Sequence, residues 1–297
     1  MNRNSKNKIC AAVICGAFLL GAFGGLVFAL LLHAPWWLCL IASTVFGAVW
    51  GAIPGIFKAY LNVNEVITAI MFNWIGLYMV NDIMYGKGKS PMYDLASTKT
   101  YSLRKAAPQA MIPSLGMSEL FGKLQSVTIA IFIAIFFAIV VYIILNKTAF
   151  GYELRACGFN KNAARYAGIN EKRNIILAMM ISGALAGVGA GLYYLSTVAE
   201  WNPQVSTALP AMGFNGISTA LLACSNPIGT IFSSLFISYI TVGGTKLSTQ
   251  YYTKEIADVI TALIIYLCAF SLLFKNKIRA LLEGKAKRVS VGKGGDD

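Results

Sequence analysis

The chain has 297 residues, 57% of them hydrophobic and only 12% charged, with a mean hydropathy of +0.64. That composition excludes an ordinary soluble domain, and apolar runs of about 20 residues, each enough to cross a bilayer core of roughly 30 Å, recur along it. The net charge of +13 does not indicate nucleic-acid binding, because the basic residues lie mostly between and after the apolar runs, where positive charge orients helices in a membrane.

The first apolar run covers about 9–32, behind the basic start "MNRNSKNK". It is too long for the core of a signal peptide, and "LLHAPWW" offers no small-residue cleavage site, so it reads as a helix. His33, just before Pro35, reads as interfacial and structural. Runs at about 36–57, 65–84, 126–145 and 174–195 follow. Then come 211–224 and 227–243, split by "CSNPIG", and finally 255–274. The run 211–224 is short and carries glycine, which suggests a broken or re-entrant helix. The fold class expected is all-α, a polytopic transmembrane helix bundle of about eight spans. Residues 1–8 and a basic tail, 276–297, flank a membrane domain over 9–275.

Eight spans place three basic segments on the cytoplasmic side. These are the start with Arg3, Lys6 and Lys8, the stretch with Lys147, Arg155, Lys161, Arg165, Lys172 and Arg173, and the tail after Lys275. The loop 85–125 then lies outside although it holds Lys87, Lys89, Lys99, Arg104, Lys105 and Lys123. The three other segments agree with one another and outvote it. Pro91, Pro108 and Pro113 make that loop irregular by expectation. The cysteines are scattered without a CxxC pair, so neither disulfides nor a metal site is expected.

Small residues recur four apart at Ala17, Gly21 and Gly25, at Gly47, Gly51 and Gly55, and at Gly183, Gly187 and Gly191. That spacing keeps them on one helix face, where backbones can approach closely. After the second track comes "NEVITAI" (64–70), and after the third comes "NGISTAL" (215–221). The two helices run in opposite directions in this topology, as in an inverted-topology repeat with the pathway at its interface. Polar residues inside the runs are few and costly there. Asn64, Glu65, Asn73, Asn215, Gly216 and Ser218 are the candidates for a translocation pathway. Capping or interhelical bonding is the competing role, and it weighs most for Glu65, Asp82 and Asp258 near helix ends.

The stretch "ELRACGFNKNAARYAGINEKRN" (153–174) is polar and basic between apolar neighbours. Asn160 can cap a short helix over 161–167, with Gly168 just past its end. Ala163, Ala164 and Ala167 then form a small apolar patch, and Lys161 and Arg165 share another face. Two turns alone are not stable in water, so a partner surface is expected to hold them. A solvated loop that only fixes topology is the plainer reading.

"TAFGYELRACGFNKNAARYAGI" followed by "MMISGALAGVGAGLYY" resembles the signature of permease subunits of bacterial ABC importers for branched-chain amino acids, ribose and nucleosides. "GAIPGIFKAYLNVNEVITAIMFNWIGLYMVN" and "GFNGISTALLACSNPIGTIF" resemble the purine-nucleoside branch, and the likeness runs from about residue 45 to 275. The resemblance implies that the segment 146–173 is a cytoplasmic coupling loop. Glu153, Arg155, Gly158, Asn160, Ala163, Ala164, Arg165 and Gly168 would meet an ATPase subunit. It further implies a second permease subunit, an extracytoplasmic substrate-binding lipoprotein, a nucleoside as cargo, and a cytoplasmic-membrane location with both termini inside. ATP and Mg would be bound by the ATPase, and this chain would hold no cofactor. It has no GxxxxGK[ST] phosphate loop. One departure stands out. Such permeases carry more chain before the position of Trp36, including an "NIGAEGQ"-like motif that is absent here. A shortened member, a start further upstream or a degraded gene would each account for it. Import of ribose-like sugars or branched-chain amino acids is the alternative. A membrane-embedded enzyme would show clustered His, Asp or Glu, and a channel would show a charged ring or filter.

Overall fold

Without water to satisfy its peptide groups, an apolar run in a membrane closes its hydrogen bonds within itself and becomes helix. The computed structural model describes residues 3–85, 92–94, 99–113, 128–197, 211–224 and 226–245, with isolated helical positions between 256 and 267. In chain order the helices are α1 (Arg3–Leu30), α2 (Trp36–Leu61), α3 (Glu65–Tyr85), α4 (Leu103–Ala106), α5 (Ala130–Lys147), α6 (Ala149–Phe159), α7 (Lys161–Tyr166), α8 (Glu171–Leu195), α9 (Ala211–Leu222) and α10 (Pro227–Thr245). Among the described residues, α2, α3, α5, α8 and α10 contain stretches long and apolar enough to cross a membrane, and α1 contributes a shorter apolar stretch, Cys15–Leu30. The chain is therefore an all-α, multi-pass membrane protein. Much of the last expected span, with Asp258, and the basic tail lie outside the described residues.

One boundary differs from expectation. Helix α1 already begins at Arg3, because neither glycine nor proline interrupts the chain before Gly16. Of the loop after α3, residues 92–94 and 99–113 are described. Tyr93–Asp94 pairs antiparallel with Lys99–Thr100. Leu103, Ala107, Ala110 and Ile112 are buried in the main core, and the Ile112 N–H donates to the Leu195 carbonyl at 3.2 Å. Pro108 starts a short 3₁₀ turn, a place where its missing N–H costs nothing.

Residues 1–217 form one compact unit. Its centre is a three-helix contact of α1, α2 and α8, with α3 against α1. Here backbones touch because side chains are missing. A Cβ at Gly47 would lie 2.5 Å from the Gly183 carbonyl oxygen and 2.9 Å from Gly187 Cα. At Gly51 it would meet the Met179 carbonyl oxygen at 2.7 Å, and at Gly55 it would meet Ile176 Cα at 3.2 Å. Numbers rise along α2 as they fall along α8, so the pair is antiparallel. On α1, a Cβ at Gly21 would lie 2.5 Å from Gly187 Cα. Ser43 closes the junction, its hydroxyl donating to the Gly187 carbonyl at 2.5 Å and standing 3.0 Å from the Cβ position of Gly191.

Residues 218–297 form a second compact unit. After α9 the chain turns at Cys224, whose φ is 51°, and Asn226 accepts the Ile228 N–H at 3.1 Å to start α10. The Ser233 hydroxyl donates to the Thr219 carbonyl at 2.7 Å, tying α10 back to the end of α9. The described part of α9, 12 residues, is about 18 Å long.

Candidate functional site

The polar segment after α5 folds as an elbow of two short helices, each started by its own cap. Thr148 Oγ1 accepts the Gly151 N–H at 3.1 Å. Gly151 packs against the carbonyls of Ile144 and Leu145, where any side chain would collide, so α6 turns sharply off α5. Asn160 Oδ1 accepts the N–H groups of Asn162 and Ala163 at 3.0 and 3.3 Å and begins α7. Ala167 ends α7 and Gly168 follows at φ 78°, a conformation that favours glycine. Asn170 Oδ1 then accepts the Arg173 N–H at 3.2 Å and begins α8. Side-chain caps of this kind stabilise a helix start by about 1 kcal/mol each.

Two of the expected coupling residues bond to neighbouring helices, Glu153 from a half-buried position and Arg155 from an exposed one. Glu153 Oε2 accepts a bond from Asn174 Nδ2 at 3.1 Å, and Asn174 is buried on α8. Arg155 Nη1 donates to Asn146 Oδ1 on α5 at 3.3 Å. These bonds brace α6 against its neighbours. Cys157 is buried beside them, and burial pushes its thiol above the ordinary value. The nearby Glu171 and Glu153 carboxylates add to that shift, while the Asn174 amide opposes it.

The outer side of the elbow is an open groove of about 530 Å³ lined by Tyr152, Phe159, Ala163, Ala164, Ala167 and Ile169 among others. Ala164 forms its buried base, with Ala163 and Ala167 exposed beside it. Arg165 is exposed at α7, whereas Lys161 and Gly158 are half-buried. Sequence reasoning missed the aromatics: Tyr152, Phe159 and Tyr166 are 66%, 72% and 94% exposed. Their signal was legible as three large rings within an otherwise polar stretch. Exposed aromatic patches of this sort mark interaction surfaces.

The α2–α3 turn shares this end of the bundle. Lys172 Nζ stands 5.1 Å from the Tyr60 ring centroid. Glu65, only 6% exposed, pairs with Lys58 at 2.6 Å. Asn64 is exposed and its Oδ1 accepts the Val66 N–H at 3.0 Å. Asn64 and Glu65 thus sit beside the elbow and do not join the other pathway candidates. Asn73 lies deeper on α3, buried, with its Oδ1 accepting the Gly16 N–H at 2.9 Å. Asn215 and Gly216 are half-buried in the first part of α9, whose Gly213 packs against Cys15. Residues 15 and 16 of α1 therefore stand between Asn73 and the start of α9. Ser218 is buried and belongs to the second unit.

The chain is 33% identical over 257 residues to the nucleoside ABC transporter permease protein NupB of Lactococcus lactis, covering 86% of this chain and 69% of that protein. It is 33% identical over 241 residues to the guanosine ABC transporter permease protein NupP of Bacillus subtilis, covering 81% of this chain and 66% of that protein. The chain thus spans about two thirds of the length of these relatives. It is 26% identical to the glucose ABC transporter permease protein TsgB13 of Haloferax volcanii, over 88% of this chain and 69% of that protein. No solved structure matches it. The family model described as "Branched-chain amino acid transport system / permease component" matches residues 14–269, so the match begins within α1, earlier than the resemblance read from about residue 45. With a bundle of apolar helices, a braced elbow at one end and a family match over most of its length, this chain belongs to the permease components of the branched-chain amino acid transport system family.

Proposed function

We propose that this chain is one membrane-spanning half of an ATP-driven importer and that its cargo is a nucleoside. The observation that carries the mechanism is the elbow. Its groove of small residues, lined also by exposed Tyr152 and Phe159, is the surface an ATPase grips. Thr148, Asn160 and Asn170 hold it in shape, and Glu153 and Arg155 tie it to α8 and α5. Closure of the ATPases on ATP and Mg then moves the elbow, and the bracing bonds pass that movement to the bundle. The elbow end faces the cytoplasm, where its Lys and Arg residues and both chain termini lie. A binding lipoprotein delivers cargo from the opposite face.

The cargo reading rests on the two relatives at 33% identity, both named as nucleoside or guanosine permeases. The permeases NupC of Lactococcus lactis and NupQ of Bacillus subtilis are each also 26% identical to this chain. Each of those organisms therefore has two permeases like this one, which supports a pair of related halves here. Asn73 and the start of α9 line the path.

The test is uptake of radiolabelled guanosine by cells with and without this gene, with unlabelled adenosine, ribose, glucose or leucine as competitors. Gene-dependent uptake blocked by adenosine alone is expected. Competition by a sugar or by leucine keeps the importer and replaces the cargo. Uptake that does not depend on the gene refutes the nucleoside reading.

A further inference from the structure

Three helices meet at one polar point inside the bundle. A Cβ at Gly16 of α1 would stand 2.7 Å from Asn73 Oδ1 of α3 and 2.8 Å from Trp50 Nε1 of α2. The Gly16 N–H donates to Asn73 Oδ1 at 2.9 Å. The Trp50 N–H finds no acceptor among the described residues, although the residue is only 9% exposed. A buried donor left without a partner is costly, and a membrane interior supplies no solvent to satisfy it. The ring is also pinned. Phe72 meets it edge-on, with centroids 5.8 Å apart and planes at 76°, and Gly76 leaves the room it occupies, a Cβ there falling 3.2 Å from Trp50 Cζ2. A rigid ring whose one polar atom is unused is poor design for packing alone. It makes sense when the partner comes and goes.

We infer that Trp50 Nε1 and the Asn73 carboxamide together read the planar ring of the cargo, and that Gly16 of α1 holds their place while the path is closed. This rests on the nucleoside reading above. An indole N–H is a donor only, whereas a carboxamide offers both donor and acceptor. A nucleobase edge sets ring-nitrogen or carbonyl acceptors next to N–H donors, which is the complementary pattern. In the closed arrangement the Gly16 N–H fills Asn73 Oδ1 as a base N–H does in the loaded one. A displacement of α1 withdraws the Gly16 N–H from Asn73 Oδ1 beside the unused Trp50 N–H. The same stretch borders α9 through Cys15 and Gly213, so its movement also opens the face towards Asn215. The aliphatic side chain of a branched-chain amino acid has nothing to accept the Trp50 proton, so this point discriminates against it.

The experiment is guanosine uptake by cells carrying the whole transporter with Trp50→Phe, alongside thermal stability of the purified protein. The substitution keeps an aromatic ring and removes the N–H. Loss of one hydrogen bond to a neutral cargo raises the half-saturating concentration roughly three- to tenfold, while the melting midpoint holds or rises. An unchanged half-saturating concentration overturns the inference and leaves Trp50 a packing residue. Should Trp50→Phe not reach the membrane, Gly16→Ala tests the contact from the other side. Its Cβ pushes α1 off the pair, so half-saturation must shift, and an unshifted value overturns the inference equally. Absence of guanosine uptake by the unaltered transporter refutes the nucleoside reading and removes this inference with it, an outcome distinct from normal uptake that is insensitive to Trp50.

Discussion

Replacing Gly187 with alanine asks whether the α1–α2–α8 junction is held by backbone contact. A Cβ at Gly187 falls inside the van der Waals radius of the Ser43 carbonyl oxygen, 3.1 Å from its carbon and 3.3 Å from Gly47 Cα. All three are backbone atoms, so no rotamer change relieves the clash, and α2 must move away. Overpacking of this kind costs about 1–3 kcal/mol. Drawing α2 away also strains the Ser43–Gly187 hydrogen bond, worth about 1 kcal/mol. Against these stands alanine's helix propensity, which favours it over glycine by nearly 1 kcal/mol. The net expectation is a loss of about 2 kcal/mol. Gly189, two residues along the same helix, is exposed and nothing lies within 4 Å of a Cβ built there, so Gly189→Ala should keep only the propensity gain. The assay is thermal unfolding in detergent, followed with a dye that fluoresces on reacting with thiols. Cys15 and Cys39 are buried in the bundle and become reactive only on unfolding, above a baseline from the other cysteines. A midpoint lowered by several degrees for Gly187→Ala, with none lost for Gly189→Ala, is expected. Equal midpoints for the two variants would refute the argument.

Asn160→Ala removes the side chain that accepts two N–H groups at the start of α7, a loss of about 1 kcal/mol from a helix of only two turns. Guanosine uptake should fall with membrane expression unchanged, and Asn160→Ser should recover most of it; equal uptake in all three proteins would contradict the role of the cap. Ala163→Trp fills the groove beside exposed Tyr166, so co-purification of the ATPase should be lost while the permease still inserts. Retained co-purification at ordinary yield would move the docking surface elsewhere. Burial raises the Cys157 thiol, so its thiolate is scarcer at a given pH than that of an ordinary cysteine. Its alkylation rate should therefore climb at higher pH than normal and return to the usual profile on denaturation. A native profile already at the ordinary value would mean that the elbow opens freely.

Much of the molecule is written in short stretches of sequence. Apolar length alone dictates the helices, because no other structure satisfies an isolated backbone in lipid. Asn160 and Gly168 mark the ends of α7 locally, since capping depends on neighbours within four residues. The spacing of Gly47, Gly51 and Gly55 announces a close helix contact, but not its partner. Only the tertiary structure decides that α2 lies antiparallel on α8, because that choice depends on matching bumps and hollows of segments more than a hundred residues apart. It likewise separates Asn73, buried against Gly16, from Asn64 and Glu65 at the turn beside the elbow, although all three belong to one apolar run and its start in the sequence. Glu153 reads as a coupling residue in the sequence, and only the fold reveals its bond to Asn174 on α8. Whether a polar side chain faces a partner protein, a cargo or its own chain is set by what folds against it, and neighbouring residues carry no record of that.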